Sequence, residues 1–447
     1  MSIGNLKDQG NKGNNFPYQL RNLQLLDAIN QSVIANGTPT VTVNATATLP
    51  PVALDSFGRQ RVSSPYTLFD SSYRYADNGQ WATRNVSGGT AAFDAGEGTM
   101  LLKVDGSLGS TVYRETFKVF SYQPGKSLLV MNTFVMNPEL VGLRQRVGYF
   151  STNNGYYLEL ADTKTFLVER SYVTGSVVNN AIPQGSWNYD NMDGLGPSGI
   201  TLDLTKSQIL WLDMEWLGVG SVRMGFVIDG VFYICHIFHH ANIINSTYIT
   251  TASLPLRYEI ENITDTIADS KLKQICSTVI SEGGYELRGT QQSIGTPITS
   301  ARTFAAAGTY YPIVSLRLKA TRLDAIVIAT AASILGIGNG KNYQWRVVAG
   351  ATTTGGAWVS AGADSAVEYN LTGTSTSFGR ILGSGYVNSS NQGSPAINIL
   401  KQALFTNQLE RNTFSSTAYE ITLEVAVGTT SGGEGVFASM DWEEVSR

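Results

Sequence analysis

A mainly-β chain is what this sequence predicts: an antiparallel β-sandwich of jelly-roll or concanavalin-like type, a second and smaller C-terminal β-sandwich, and an extended N-terminal arm carrying a short helix. Three observations predict it. Charged residues make up only 15% of the 447, while 42% are hydrophobic and 46 are glycine, a polar but uncharged balance that suits strands joined by tight turns. Several runs alternate apolar and polar residues with a period of two. The run 222–238 is interrupted at its centre by Asp229-Gly230, two residues that tolerate positive φ and so close a two-residue hairpin. The same composition excludes charge-driven disorder and a coiled coil.

Residues 1–50 form the arm. Positions 1–15 are rich in Gly, Asn, Lys and Asp and show no apolar period. Over 18–33, Leu20, Leu23, Leu26, Ile29 and Val33 recur close to helical spacing and predict one amphipathic helix. A Thr- and Ala-rich connector, 36–49, ends at Pro50-Pro51. Burying a Leu or Ile contributes roughly 1.5–3 kcal/mol, against roughly 1–2 kcal/mol of backbone entropy for each residue ordered. Five such side chains cannot hold this helix in order alone. The stripe is therefore the candidate interaction site, and the arm is expected to fold against a partner.

The large sandwich is read over 51–289. Residues 127–136 (SLLVMNTFVM) make a buried strand, and another begins at 146. The runs 156–160 and 165–170 flank Ala161-Asp162-Thr163-Lys164 as a hairpin. In 208–216 (QILWLDMEW), Leu210, Leu212, Met214 and Trp216 share one face, with Asp213 and Glu215 on the other. A composition shift near 289–308 opens the C-terminal sandwich, 290–447, with strands at 313–318, 325–329, 342–348 and 419–427 and a helix at 396–405.

Asp213 and Glu215, roughly 7 Å apart on one strand face, are the most enzyme-like pair and are placed to work as paired carboxylates in glycoside hydrolysis. The string 211–215 is similar to the catalytic strand Glu-x-Asp-x-Glu of laminarinase-type sandwich glycosidases, but Trp211 stands at the nucleophile position. The pair is therefore expected to be solvent-facing polar residues on an otherwise apolar strand. The three histidines, His236, His239 and His240, sit together beside Cys235. Same-face residues four apart on a strand are about 13 Å apart, too far to chelate one ion without ligands from neighbouring strands or a turn. Arg-Gln-Arg-Val recurs at 59–62 and 144–147; such arginines clamp carboxylates or phosphates, and pairing with Asp or Glu of a neighbouring strand or subunit is the expectation. Tyr156-Tyr157 and Trp187-Asn188-Tyr189 are aromatic turns that either stack on sugar rings or cap a sandwich edge. No phosphate-binding glycine loop, nucleophile elbow or Cys-x-x-Cys pair occurs, so no catalytic residue, metal or cofactor is assigned.

The net charge of −4, pI about 5.5, offers no basic face for nucleic acid. The two cysteines, Cys235 and Cys276, cannot form a disulfide framework, and spacing does not decide whether they bridge. Neither a signal peptide over 1–26 nor an apolar run of membrane-spanning length is visible, so synthesis in the cytoplasm and release inside an assembled particle are expected.

Several stretches resemble virion structural proteins of tailed bacteriophages, fibre-like or neck and tail components common in phages of marine and freshwater bacteria. They are 1–18 (MSIGNLKDQGNKGNNFPY), 61–70 (RVSSPYTLFD), 122–128 (YQPGKSL), 194–208 (GLGPSGITLDLTKSQ), 215–220 (EWLGVG), 254–262 (LPLRYEIEN) and 274–285 (QICSTVISEGGY). The resemblance covers roughly residues 1–290 well and the remainder weakly, and it brings no catalytic residues with it. It implies a non-enzymatic fibre or adaptor on the neck, tail or baseplate, forming a homo-oligomer and contacting portal, neck, tail or capsid proteins. The alternatives are a capsid decoration, or a protein that recognises a host surface glycan.

Overall fold

The computed structural model describes residues 64–390 and 407–446, apart from 267 and 378. The described residues fall within one compact unit, Ser63–Arg447. The arm with Leu20, Leu23, Leu26, Ile29 and Val33 lies outside the described residues, as do the Arg-Gln-Arg-Val at 59–62 and the helix expected at 396–405. Regular structure among the described residues is antiparallel strand, with one three-residue 3-10 turn at Gln184–Ser186. No helix there is long and apolar enough to cross a membrane.

Two sheets enclose the larger core. The first runs, in spatial order, Val231–Phe238, Val222–Ile228, Gln208–Met214, Leu128–Val135, Ser270–Ser281, Thr99–Val104 and Thr90–Asp94, with Tyr66–Ser71 pairing the second half of Ser270–Ser281. The second runs Val178–Pro183, Lys164–Ser171, Gly155–Ala161, Leu143–Phe150, Leu256–Asn262, Thr111–Thr116 and Trp81–Val86. The alternation read in the sequence sets which side chains meet between them. Leu210, Leu212 and Met214 point into the core, and so do Leu128, Val130 and Phe134. The run 127–136 is apolar on both faces because its other face carries the half-buried Leu129, Met131 and Val135. The Asp229-Gly230 turn takes φ of 51° and 76°, as the hairpin requires.

The second core lies between a three-stranded sheet and a six-stranded sheet. Their central strands are Gly435–Ser446 and the neighbours Tyr311–Leu318, Glu420–Val427 and Asn342–Ala351. Glu420–Val427 alternates in sequence yet is buried on both faces, with Glu424 0% exposed. Its carboxylates find partners in residues 353–376, where Thr353 N–H donates to Glu420 (2.7 Å) and Thr376 donates to Glu424, and on the neighbouring strand, where Arg346 pairs with Glu424.

Residues 408–419 brace the large sandwich. Gln408 Nε2 donates to the Val119 carbonyl (2.8 Å), Arg411 Nη1 donates to the Thr116 carbonyl (2.8 Å), and Tyr419 packs edge-on against Phe117 at 5.2 Å. Beneath this brace, on the outer face of the second sheet, runs a ladder of alternating charge. It passes Glu159, Arg146, Glu259, Arg257, Glu115 and Arg411, with contacts of 2.5, 3.1, 2.5, 3.0 and 2.8 Å in that order.

Candidate ligand groove

Strand register on the outer face of the first sheet assembles a groove of about 390 Å3. Because Leu210, Leu212 and Met214 face inward, the period of two turns Asp213 outward, and Arg223 lies directly opposite it on the next strand. The Arg223 guanidinium pairs with the Asp213 carboxylate and covers it, so Asp213 is 7% exposed and not solvent-facing as the sequence led us to expect, whereas Glu215 is exposed. Ile237, opposite Arg223 on the third strand, supplies a buried apolar floor.

Past the strand ends the walls are made by turns. Residues 215–221 form one, closed by Gly220 N–H donating to the Trp216 carbonyl (2.7 Å), with Leu217 and Gly218 at φ of 39° and 82°. Glu215 stands exposed at its start, and its carboxylate forms no ion pair among the described residues. Ser221 and His239 sit across from it, Oγ and Nδ1 being 3.3 Å apart. Gly125, Lys126 and Ser127 make the opposite wall. Lys126 Nζ is held by Gln123 Oε1 at 2.9 Å and the Gly284 carbonyl at 3.2 Å.

The structure thus brings Asp213, Glu215 and His239 together, but separates the three histidines. The strand Val231–Phe238 carries a bulge opposite Met224 and Gly225, and it ends before His239. His236 faces inward against Phe238 at 4.6 Å, and its Nδ1 accepts the Asn188 N–H at 3.2 Å. Burial and the neighbouring His239 pull the His236 imidazole down to about 4. His240 is also buried, stacked on Tyr248 at 3.9 Å between the Gly220 carbonyl and the Glu169 carboxylate, each 2.6 Å away. Among the described residues no three His, Cys, Asp or Glu side chains are placed to hold a metal. Cys235 and Cys276 are both free, the first buried and the second exposed.

The chain has no match among family models or curated proteins. Solved structures similar to it include a Bacillus licheniformis β-glucanase, at 11% identity over 47% of this chain and 96% of that one, with a TM-score of 0.31. The Emp47p carbohydrate recognition domain is 10% identical over 48% and 96%, at 0.32. The binding domain of Paraclostridial Mosquitocidal Protein 1 is 10% identical over 59% and 60%, at 0.30. Scores this low carry no weight for the site, and the fold stands on the strand pairing itself.

The remaining sequence candidates resolve into packing. Arg144 pairs with Glu261 at 2.5 Å, and Arg146 with Glu159 and Glu259, all on neighbouring strands as the charge pattern led us to expect. Tyr156 and Tyr157 do not offer a sugar-stacking surface: both are 0% exposed, Tyr156 donating to Glu169 and Tyr157 lying under the Arg146 and Arg170 guanidinium groups at 5.4 and 4.9 Å. Trp187 packs in the core and Asn188 zips to Ile237, so that turn caps the sandwich edge and leaves Tyr189 exposed. Lys126 and Arg223 are the charged groove residues that the sequence did not single out. The Asp229-Gly230 turn sets Arg223 against Ile237, whereas its place opposite Asp213 depends on the 215–221 turn, for which the sequence offered no register signal.

Proposed function

We propose that this chain is a non-enzymatic recognition component of a bacteriophage particle, a homo-oligomeric fibre or adaptor anchored through residues 1–50, whose groove beside Asp213 and Arg223 binds a neutral host-surface glycan. The charge balance of the groove carries the glycan reading. Two carboxylates, an ammonium, a guanidinium and two hydroxyls converge there, offering donors and acceptors without selecting an ion of either sign. Sugar hydroxyls both donate and accept, and match such a lining. Two of the stretches that resemble phage virion proteins, 122–128 and 215–220, build its walls.

Hydrolysis fits the geometry poorly. The carboxylate of Asp213 is engaged by Arg223, and Trp211, at the aligned nucleophile position, is buried with its indole N–H donating to the Tyr233 carbonyl at 3.1 Å. On a host-glycan array the protein is expected to retain neutral glycans, and on host polysaccharide to release no reducing ends. Arg223→Ala should weaken retention at least about ten-fold, or about 1.4 kcal/mol. Because its partner Asp213 is buried, Arg223→Lys, which keeps a counter-charge, is the companion variant, and thermal unfolding of both checks that the fold is kept. Unchanged retention would remove the groove from the reading, and released reducing ends would make the protein an enzyme.

The particle role rests on the resemblance and on the composition of the arm. Deleting residues 1–50 is expected to leave thermal unfolding of the sandwiches unchanged and to abolish incorporation into particles. Incorporation of the truncated chain at wild-type occupancy would reduce the arm to a passive tail.

A further inference from the structure

A second cleft, in the C-terminal sandwich, has a different electrostatic character. It measures about 570 Å3 and opens between the loop 296–303 and the segment 357–372. Its apolar wall is built by register: Tyr369 lies between Leu316 and Val359 on neighbouring strands, and Leu371 continues the surface. The other side carries Arg302, whose backbone is pinned by two 2.9 Å hydrogen bonds with Val436. No Asp or Glu lines this cleft.

Arg302 is the informative residue. Arg223, Arg317 and Arg346 each meet a carboxylate, whereas Arg302 forms no ion pair among the described residues. One of its Nη atoms donates to the Gly373 carbonyl, and its Nε is buried without a hydrogen-bond partner. A half-buried guanidinium without a counter-charge, in a cleft lacking acidic residues, leaves planar donors for an incoming anion. At the exposed rim the hydroxyls of Ser300 and Thr303 make no hydrogen bond among the described residues.

We propose that this cleft is a second binding site, specific for an acidic saccharide. The carboxylate of a uronate residue would pair with Arg302, the C–H face of its ring would rest on Tyr369 and Leu371, and its hydroxyls would meet Ser300 and Thr303. A carboxylate on a sugar satisfies all three features of the cleft at once. A neutral sugar would leave the guanidinium without its anion, and a fatty acid would leave the rim hydroxyls unused.

Calorimetric titration of the full chain tests this with an oligogalacturonate, a neutral oligosaccharide of the same length and a medium-chain fatty acid. The oligogalacturonate is expected to bind at least ten-fold more tightly than the other two. Arg302→Ala should remove that preference and Arg302→Lys restore part of it. Ser300→Trp, at an exposed position that tolerates a large side chain, should block binding without touching the guanidinium. The site stands apart from the first groove, so Arg223→Ala should leave oligogalacturonate binding as it is. Failure of the wild-type chain to bind oligogalacturonate would overturn the proposal. So would equal affinity for the neutral sugar or the fatty acid, or full affinity in Arg302→Ala. Loss of binding in Arg223→Ala alone would place the acidic sugar in the first groove and equally end the case for a second site.

Discussion

Replacing Glu115 by Ala is expected to cost about 3–5 kcal/mol of folding stability, the range for removing one member of a buried ion pair. Glu115 is 1% exposed and is gripped by Arg257 at 3.0 Å and Arg411 at 2.8 Å, which are themselves 8% and 2% exposed. Burial pushes its carboxyl above the usual carboxylate range, opposed by the two arginines. Its neighbour Glu259 feels a strong upward push from burial too, but Arg257 and Arg146 outweigh it and hold that carboxyl low. Without Glu115, Arg411 keeps the Thr116 carbonyl but only one carboxylate, that of Asp324 at 3.0 Å, on a residue that is 66% exposed. A poorly compensated cation would then lie in the seam where residues 408–419 brace the large sandwich. Urea unfolding measures the loss. The exposed pair Glu286–Arg288 is the control, and Glu286→Ala should change stability by no more than about 1 kcal/mol. A Glu115→Ala variant as stable as that control would show that the ladder does not hold the seam.

Acid should destabilise the protein through His236. In the folded chain its imidazole sits at about 4, below the ordinary value of 6.5, because of burial and of His239. A base whose folded value is depressed contributes stability that is complete above the unfolded value and is lost as pH falls through the folded one. The window is therefore pH 6.5 down to about 4. The structural cause is visible: Nδ1 accepts the Asn188 N–H, and protonating Nδ1 would set two donors against each other. Asn188 and Tyr189 are zipped to the strand Val231–Phe238, so this edge is expected to loosen first. The other titratable group acting on the ring is Glu169, whose charge opposes the shift. A depression of this size corresponds to at most roughly 3–4 kcal/mol, reduced by solvent screening at the ring. Thermal unfolding followed from pH 7 to pH 4.5 should show a falling midpoint that flattens in His236→Gln. A variant that falls as steeply as the wild type would assign the acid sensitivity to the carboxylates instead.

Much of the fold was legible in the sequence because a strand's side chains alternate whatever lies around it. That rule placed Leu210, Leu212 and Met214 inside and turned Asp213 to the other face, though not that Arg223 would bury it, and Asp229-Gly230 announced its hairpin by backbone chemistry alone. The pairing of Arg144 and Arg146 with carboxylates of adjacent strands followed from charge pattern, since buried arginines need counter-charges. Tertiary structure decided what local pattern cannot carry. Alternation marks two faces but not what covers the second one, so Tyr157 and Glu424 were free to become fully buried. A single bulged residue opposite Met224 and Gly225, together with the strand end at Phe238, sent three neighbouring histidines to separate surroundings. The two clefts depend on distant segments meeting: Lys126 lines one with Asp213 and His239, and Arg302 lines the other with Tyr369 and Leu371. Sequence fixes which faces a strand offers, whereas a site exists only where several strands and turns meet, and that meeting is set by register and packing across the whole chain.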